Sequence, residues 1–205
     1  WRACSGVSAA VSIRASVVRP AAESSDNPGM NLRPYRGVSP TLGARAYVDP
    51  QASVIGDVVL GDDVSVWPFT VIRGDVNFIR IGDRTNLQDG TVIHVSHDGP
   101  HAKLGGFATR IGSDVTIGHK AIIHACTIED AVLVGMGAIV LDGAVVKKHA
   151  FVGAGALVPP GKVVGEGELW LGNPARKARM LSDAEIEALY YSAGHYVRLK
   201  DAYLA

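Results

Sequence analysis

The chain has 205 residues, 47% of them hydrophobic but only 6% aromatic, and its twenty basic residues are balanced by twenty acidic ones. Such a balance argues against nucleic acid or an anionic membrane surface as a partner, and no apolar run approaches the ~20 residues of a membrane-spanning helix. Cysteine occurs only at Cys4 and Cys126, which excludes a disulfide framework.

Residues 1–29 are rich in Ala, Ser, Val and Arg and carry no repeat; they are expected to be a disordered N-terminal extension. Their acid-poor composition suits an organellar presequence. The plainer reading, adopted here, is a cytoplasmic protein whose folded part starts at Met30. From Leu42 onward an aliphatic residue leads every sixth position: VIGDVV at Val54, LGDDVS at Leu60, VWPFTV at Val66, IRGDVN at Ile72. After a three-residue slip at Phe78, Ile79 and Arg80 the hexads resume as IGDRTN, LQDGTV and IHV. A loop-like stretch of 12 residues, Ser96–Phe107, follows. Then come IGSDVT, IGHKAI and the one-short IHACT, and the period runs on from Ile128 to Leu157.

A hexapeptide period specifies a parallel β-helix. Three hexads make a triangular coil that rises about 4.8 Å, the strand-pairing distance. The leading aliphatics stack inward, while Gly, Asp and Asn fill the turns. A sandwich would alternate with period two instead. The fold class is therefore all-β: a single-stranded parallel β-helix over 30–165, a connector over 166–181 with turn residues Gly172, Asn173 and Pro174, and an α-helix over 182–205 packed alongside. Ser182 and Glu185 form the capping box of that helix. Ile186, Leu189, Tyr190, Ala193, Tyr196 and Val197 mark its apolar face.

The hexad register also aligns histidines. His94 and His124 are each the second residue of a hexad and lie 30 apart. With Ser96–Phe107 excised they stack one coil apart, with Arg73 one coil beneath His94. His119 is a third-position residue on the preceding face, above Asp89 and next to Gln88. The two faces point apart in one prism. They meet if identical prisms pack around a threefold axis, so that one copy gives two imidazoles and the next gives one. Three neutral imidazoles with an open fourth position match a catalytic Zn2+ site; Fe2+ and Co2+ also suit imidazole. His97, His101, His149 and His195 lack this registration and read as surface or loop residues.

The runs IRGDVNFIRIGDRTNLQDGTVIHVSH, IGSDVTIGHKAIIHACTI and VLVGMGAIVLDGAVV resemble the gamma-class carbonic anhydrase family. The tail from LGNPARKARM to DAYL is similar to that of its small bacterial branch. The likeness covers about Leu32 to Leu204. It implies a left-handed β-helix, a homotrimer with metal shared between subunits, and reversible hydration of carbon dioxide to bicarbonate by a metal-bound hydroxide. On this resemblance His94, His119 and His124 match the metal ligands and Gln88 the residue that orients metal-bound solvent. Arg73 matches an arginine that pairs across subunits with the aspartate here at Asp89, and Asp75 the acid of the adjoining network. A helix tyrosine, Tyr191 or Tyr196, resembles a site residue; Tyr191 is the choice. One departure stands out: Val76 follows Asp75 where prototype members carry a glutamate, and the loop offers Asp98, His97 and His101 instead. The alternative functions are a hexapeptide-repeat acyltransferase or acyl-CoA thioesterase, since GNPAR (Gly172–Arg176) occurs in those too, or a metal-binding homologue without turnover.

Overall fold

A single coil cannot cover its own apolar leading residues, but stacked coils can. In the computed structural model, which describes residues 29–100 and 103–205, those residues form three inward ladders. Ile72, Ile93, Ile123, Val140 and Val158 stack in register on the first face. Ile81, Ile111, Ile128, Val146 and Val164 stack on the second. Val48, Val66, Leu87, Ile117, Val134 and Val152 stack on the third. None of these side chains is more than 4% exposed. The fifth hexad residue also turns inward and is small, as at Ala121, Ala138, Ala144, Ala150 and Ala156, so the prism has no room for rings. The parallel β-helix expected from the period is therefore present. Residues 1–28 and His101 lie outside the described residues.

The corners explain the rest of the hexad. The fourth residue takes a left-handed conformation, as at Asp63 (φ 57°), Lys120 (58°) and Gly161 (66°). Beside the second face the second residue is glycine, and Gly43, Gly61, Gly82 and Gly112 form a column. A Cβ on Gly82 would lie 2.6 Å from the Gly112 carbonyl carbon, so the coils approach too closely for any side chain there. The third residue completes the motif. Asp62, Asp83, Ser113 and Asp130 accept the backbone N–H of the third residue one coil below, at 2.7, 2.9, 3.1 and 2.8 Å. These bonds satisfy donors that the turn leaves outside the strand ladder.

The interruptions fall at corners. Ser96 and Phe107 pair with each other and close the inserted loop, which leaves the flanking register intact. The slip is not at Phe78–Arg80 as expected. Gly56 pairs with Gly74 and Val58 with Ile79, so the extra residues lie between Gly74 and Ile79. The physical reason is burial: Ile79 is 0% exposed and serves as a core rung, whereas Asp75, Val76 and Asn77 are left to round the corner.

The segment 166–181 carries two strands. Glu168–Leu171 stacks on Phe151–Val152, and Arg176–Met180 returns antiparallel against it. Its charged residues Arg176, Lys177 and Arg179 guard the exposed sheet edge. The helix Asp183–Leu204 then starts at the expected capping box. Hydrogen bonds from Arg179 and from Ser182 pull the Glu185 carboxyl down to about 2. The helix runs back along the third face. Tyr190 Oη meets His149 Nε2 at 2.8 Å, Ser192 Oγ meets Thr116 Oγ1 at 3.0 Å, and Tyr196 and Tyr203 pack on Trp67 and Tyr47. Among the described residues no helix is long and apolar enough to cross a membrane.

Lys200 anchors the far end of the helix. Its side chain is fully buried and pairs with Asp63 at 2.9 Å and with Asp201. Burial opposes ionisation of Asp63, but the Lys200 and Arg45 partners outweigh it and hold its pKa below the ordinary 3.8. We expect Asp63→Asn, which tolerates the left-handed turn, to cost about 3 kcal/mol because it leaves a buried ammonium under-compensated. Denaturant unfolding measures this, and Lys200→Met in the same background should recover most of the loss. The depressed carboxyl also sets a sign. The contribution of the pair is complete above pH 3.8 and drains away as pH falls beneath it.

Candidate metal centre

His94 and His124 each end a short strand of the first face, Val92–His94 and Ile122–His124, and are paired in register. Their side chains turn out at the corner between the first and second faces. There His94 Nδ1 and His124 Nε2 converge to 3.2 Å. That spacing suits two nitrogens on one ion, since metal–nitrogen bonds of about 2.0–2.1 Å at a tetrahedral angle place ligand nitrogens slightly over 3 Å apart.

The far nitrogen of each ring is held by a carboxylate. His94 Nε2 meets Asp75 Oδ1 at 3.1 Å, and His124 Nδ1 meets Asp142 Oδ1 at 2.5 Å. His119 repeats the pattern with Asp89 Oδ2 at 2.8 Å from its Nδ1. A carboxylate behind the ring fixes orientation and tautomer and leaves the opposite nitrogen free to ligate. Burial lowers the His94 pKa, Asp75 works against this, and Arg73 and His124 add to the lowering, so the net position is below 6.5. The neutral ring is the form a metal takes. For Asp75, burial is outweighed by hydrogen bonds with Arg73 and His94, and its pKa falls below the ordinary value.

The expected column relations hold. Arg73 lies beneath His94, where Val71 and Ile72 pair with Val92 and Ile93, and within the chain it pairs with Asp75. Asp89 lies beneath His119. Gln88 is 5% exposed; its Nε2 donates to Asn86 Oδ1 at 3.1 Å, and its Oε1 accepts the His119 backbone N–H at 3.2 Å. His119 itself follows the strand Thr116–Ile117 and so stands at the opposite edge of the first face. Among the described residues no cluster of three or more potential ligands forms within one chain. Tyr191 is 68% exposed and stacks on His195. Tyr196 packs on Trp67, and its pKa is raised by burial and by the charge of Asp89. Cys126 is a free, buried rung whose thiol burial pushes up.

Two features were missed in the sequence. Asp142 stands one position past the residue that stacks on His124, because the short hexad at Ile123 shortens that coil to 17 residues and pairs Ile123 with Val140. The first face also carries an outward aliphatic strip: Val71, Val92, Ile122, Ile139 and Leu157, paired in succession. Val92 and Ile122 are 40% and 38% exposed. The signal was the residue just before each leading aliphatic, itself aliphatic on this face alone in an unbroken run from Val71.

Comparison with known proteins agrees with the fold. The family described as "Bacterial transferase hexapeptide (six repeats)" matches residues 39–74. "Protein YrdA" of Escherichia coli is 52% identical over 84% of this chain and 94% of its own length. The "Carbonic anhydrase" of Geobacillus kaustophilus is 39% identical over 85% of this chain and 91% of its own. "Gamma carbonic anhydrase 2, mitochondrial" of Arabidopsis thaliana is 48% identical over 78% of this chain, which spans 57% of that relative. Among solved structures, a hexapeptide transferase family protein from Anaplasma phagocytophilum is 45% identical, with a TM-score of 0.77 over 84% of this chain and 97% of the other. With its repeats, its register and these relatives in agreement, the chain belongs to the gamma-class carbonic anhydrase-like family of hexapeptide-repeat β-helix proteins.

Proposed function

We propose that the protein is a metal-dependent carbonic anhydrase that interconverts carbon dioxide and bicarbonate at the subunit interfaces of a homotrimer. The observation that carries this reading is the convergence of His94 Nδ1 and His124 Nε2 at 3.2 Å, with Asp75 and Asp142 behind them. His119 from an adjacent copy is the third ligand. Its turn lies between the strands Thr116–Ile117 and Ile122–His124, so its height along the prism falls between His94 and His124. Copies related by a threefold axis parallel to the prism keep equal residues at equal heights, which brings His119 level with the gap between the other two. The outward aliphatic strip on the first face supports the same packing, because Val92 and Ile122 are exposed at its centre and favour a covering partner.

The donor set suits Zn2+, with Fe2+ or Co2+ as the other candidates. When bound, such an ion supplies Lewis acidity that makes a water nucleophilic at neutral pH. The protein's own groups do the rest. Asp75, Asp142 and Asp89 hold the rings aligned and fix their tautomers. Gln88, itself fixed by Asn86 and the His119 backbone, orients solvent beside the ligands. Arg73 reaches Asp89 of the adjacent copy and sets the register between chains. Tyr191 serves as a flanking residue on the terminal helix.

Stopped-flow hydration of carbon dioxide tests the reading. Catalysis should vanish on chelation and return with Zn2+. Turnover of acyl-CoA thioesters, with no effect on carbon dioxide, would overturn it in favour of acyl chemistry. Asp142→Ala should weaken metal affinity 10–100-fold in metal-buffered titrations, and Asp142→Asn, which can still accept from Nδ1, should lose less.

A further inference from the structure

Phe69 is a bulky residue in an unexpected place. It occupies the left-handed turn position at φ 60°, and the residue is 64% exposed. Other coils put Gly90, Lys120 or Gly137 at that position on the same corner. Backbone bonds fix its level: Gly90 N–H to Pro68 O and Lys120 N–H to Asp89 O, both 2.9 Å, stack the turn of Phe69 two coils beneath that of His119.

At the other edge of the first face, below His94, a cavity of about 360 Å³ opens, and its walls include Tyr35, Val38, Val76 and Phe78. Val38 and Val76 are themselves 48% and 46% exposed. The cavity spans Asp57, which follows the rung Ser53–Gly56, and Gly74 to Phe78, which follow the next rung. Phe69 sits in the turn that leads into that second rung, so its height falls between the two. His119 bears the same relation to His94 and His124. The slip residues that the repeat could not accommodate, Asp75 to Phe78, are the ones that build the cavity's upper wall.

We propose that the Phe69 ring of one copy docks into the Tyr35–Val38–Val76–Phe78 cavity of the next, two coils below the shared metal site. The inference rests on the trimeric reading above and adds a contact to it. Three observations support a second copy as the occupant: matching heights, location on the two edges that bring His119 to His94 and His124, and apolar surface on both sides. Burial of the ring also accounts for an exposed aromatic held in a conformation that bulky residues rarely adopt. Because the contact is heterologous and repeats around the ring, each trimer carries three of them.

The test replaces Phe69 with a photo-crosslinking phenylalanine in the full chain and maps the covalent dimers by mass spectrometry, with metal content measured on the same sample. Cross-links from position 69 to Tyr35–Val38 or Val76–Phe78 of another chain are expected. Phe69→Gly, which removes the ring and relieves the turn, should weaken self-association at least tenfold in sedimentation with an unchanged circular dichroism spectrum. A metal-loaded trimer whose cross-links fall elsewhere, or whose assembly ignores Phe69→Gly, overturns the docking and spares the metal reading. Cross-links into the cavity in protein that binds no metal uphold the docking and sink the metal reading. A monomer at all concentrations overturns both.

Discussion

Mixing His119→Ala subunits with His94→Ala subunits will restore metal binding that neither variant has alone. Each variant by itself lacks one ligand at every site. A mixed trimer contains one junction at which an intact His94–His124 pair faces an intact His119. Random assembly from equal amounts makes about three trimers in four mixed, and each regains one site of its three, so about one site in four returns. Loss of an imidazole from a three-nitrogen site removes the ion outright rather than weakening a contact, which makes this the largest functional effect expected of any substitution here. Metal analysis after unfolding and co-refolding gives the readout, and carbon dioxide hydration should follow it in proportion. A single-chain site, or independent sites on separate histidines, would show no recovery. The fold should survive both substitutions, since the inward ladders use Ile93 and Ile123 and leave the histidines on the outer surface.

Gly82→Val should have the largest effect on stability. A Cβ at Gly82 would lie 2.6 Å from the Gly112 carbonyl carbon and 2.7 Å from the Ser113 nitrogen, both backbone atoms that cannot swing aside. Relief requires the two coils to part. That strains the Gly82 N–H bond to Ile111 O (2.9 Å) and the Asp83 N–H bond to Ser113 Oγ (3.1 Å). Overpacking combined with lost backbone bonds places the cost at about 4 kcal/mol or more. Gly161→Ala is the control. No atom lies within 4 Å of a Cβ there, although φ is +66°. Turn strain alone then costs about 1 kcal/mol. Thermal midpoints of the two variants side by side separate contact between coils from turn conformation; equal losses would refute the close-approach argument.

Most of the scaffold was legible because one physical rule, burial of a leading aliphatic every sixth residue, repeats with few exceptions. Even the irregular hexad at Ile123 kept its place, because Cys126 and Ile128 still fall on inward positions. The register of His94 and His124 could be read for the same reason: a loop inserted at a corner leaves pairing on either side undisturbed. The slip was misplaced because Phe78, Ile79 and Arg80 differ little in pattern from a shifted rung. Only the pairing of Val58 with Ile79 shows which residue is inside. Asp142 escaped notice because carboxylates are common at third hexad positions, as at Asp62, Asp83 and Asp130, where they serve backbone amides, and because the short hexad at Ile123 sets it one position out of register with His124. The pairing of Arg73 with Asp75 was likewise beyond reach, since two residues on one strand give no periodic signal of their contact.

Linear stacks of repeats tend to peel from their ends, because each unit touches only its neighbours. The terminal helix works against that here. It departs from the last rungs and is fastened at intervals to His149, Thr116, Trp67 and Tyr47, ending with Lys200 against Asp63. Fraying at either extremity must therefore release a tie that spans nearly the whole stack. The prism is thereby converted from a chain of independent steps into a unit that melts cooperatively.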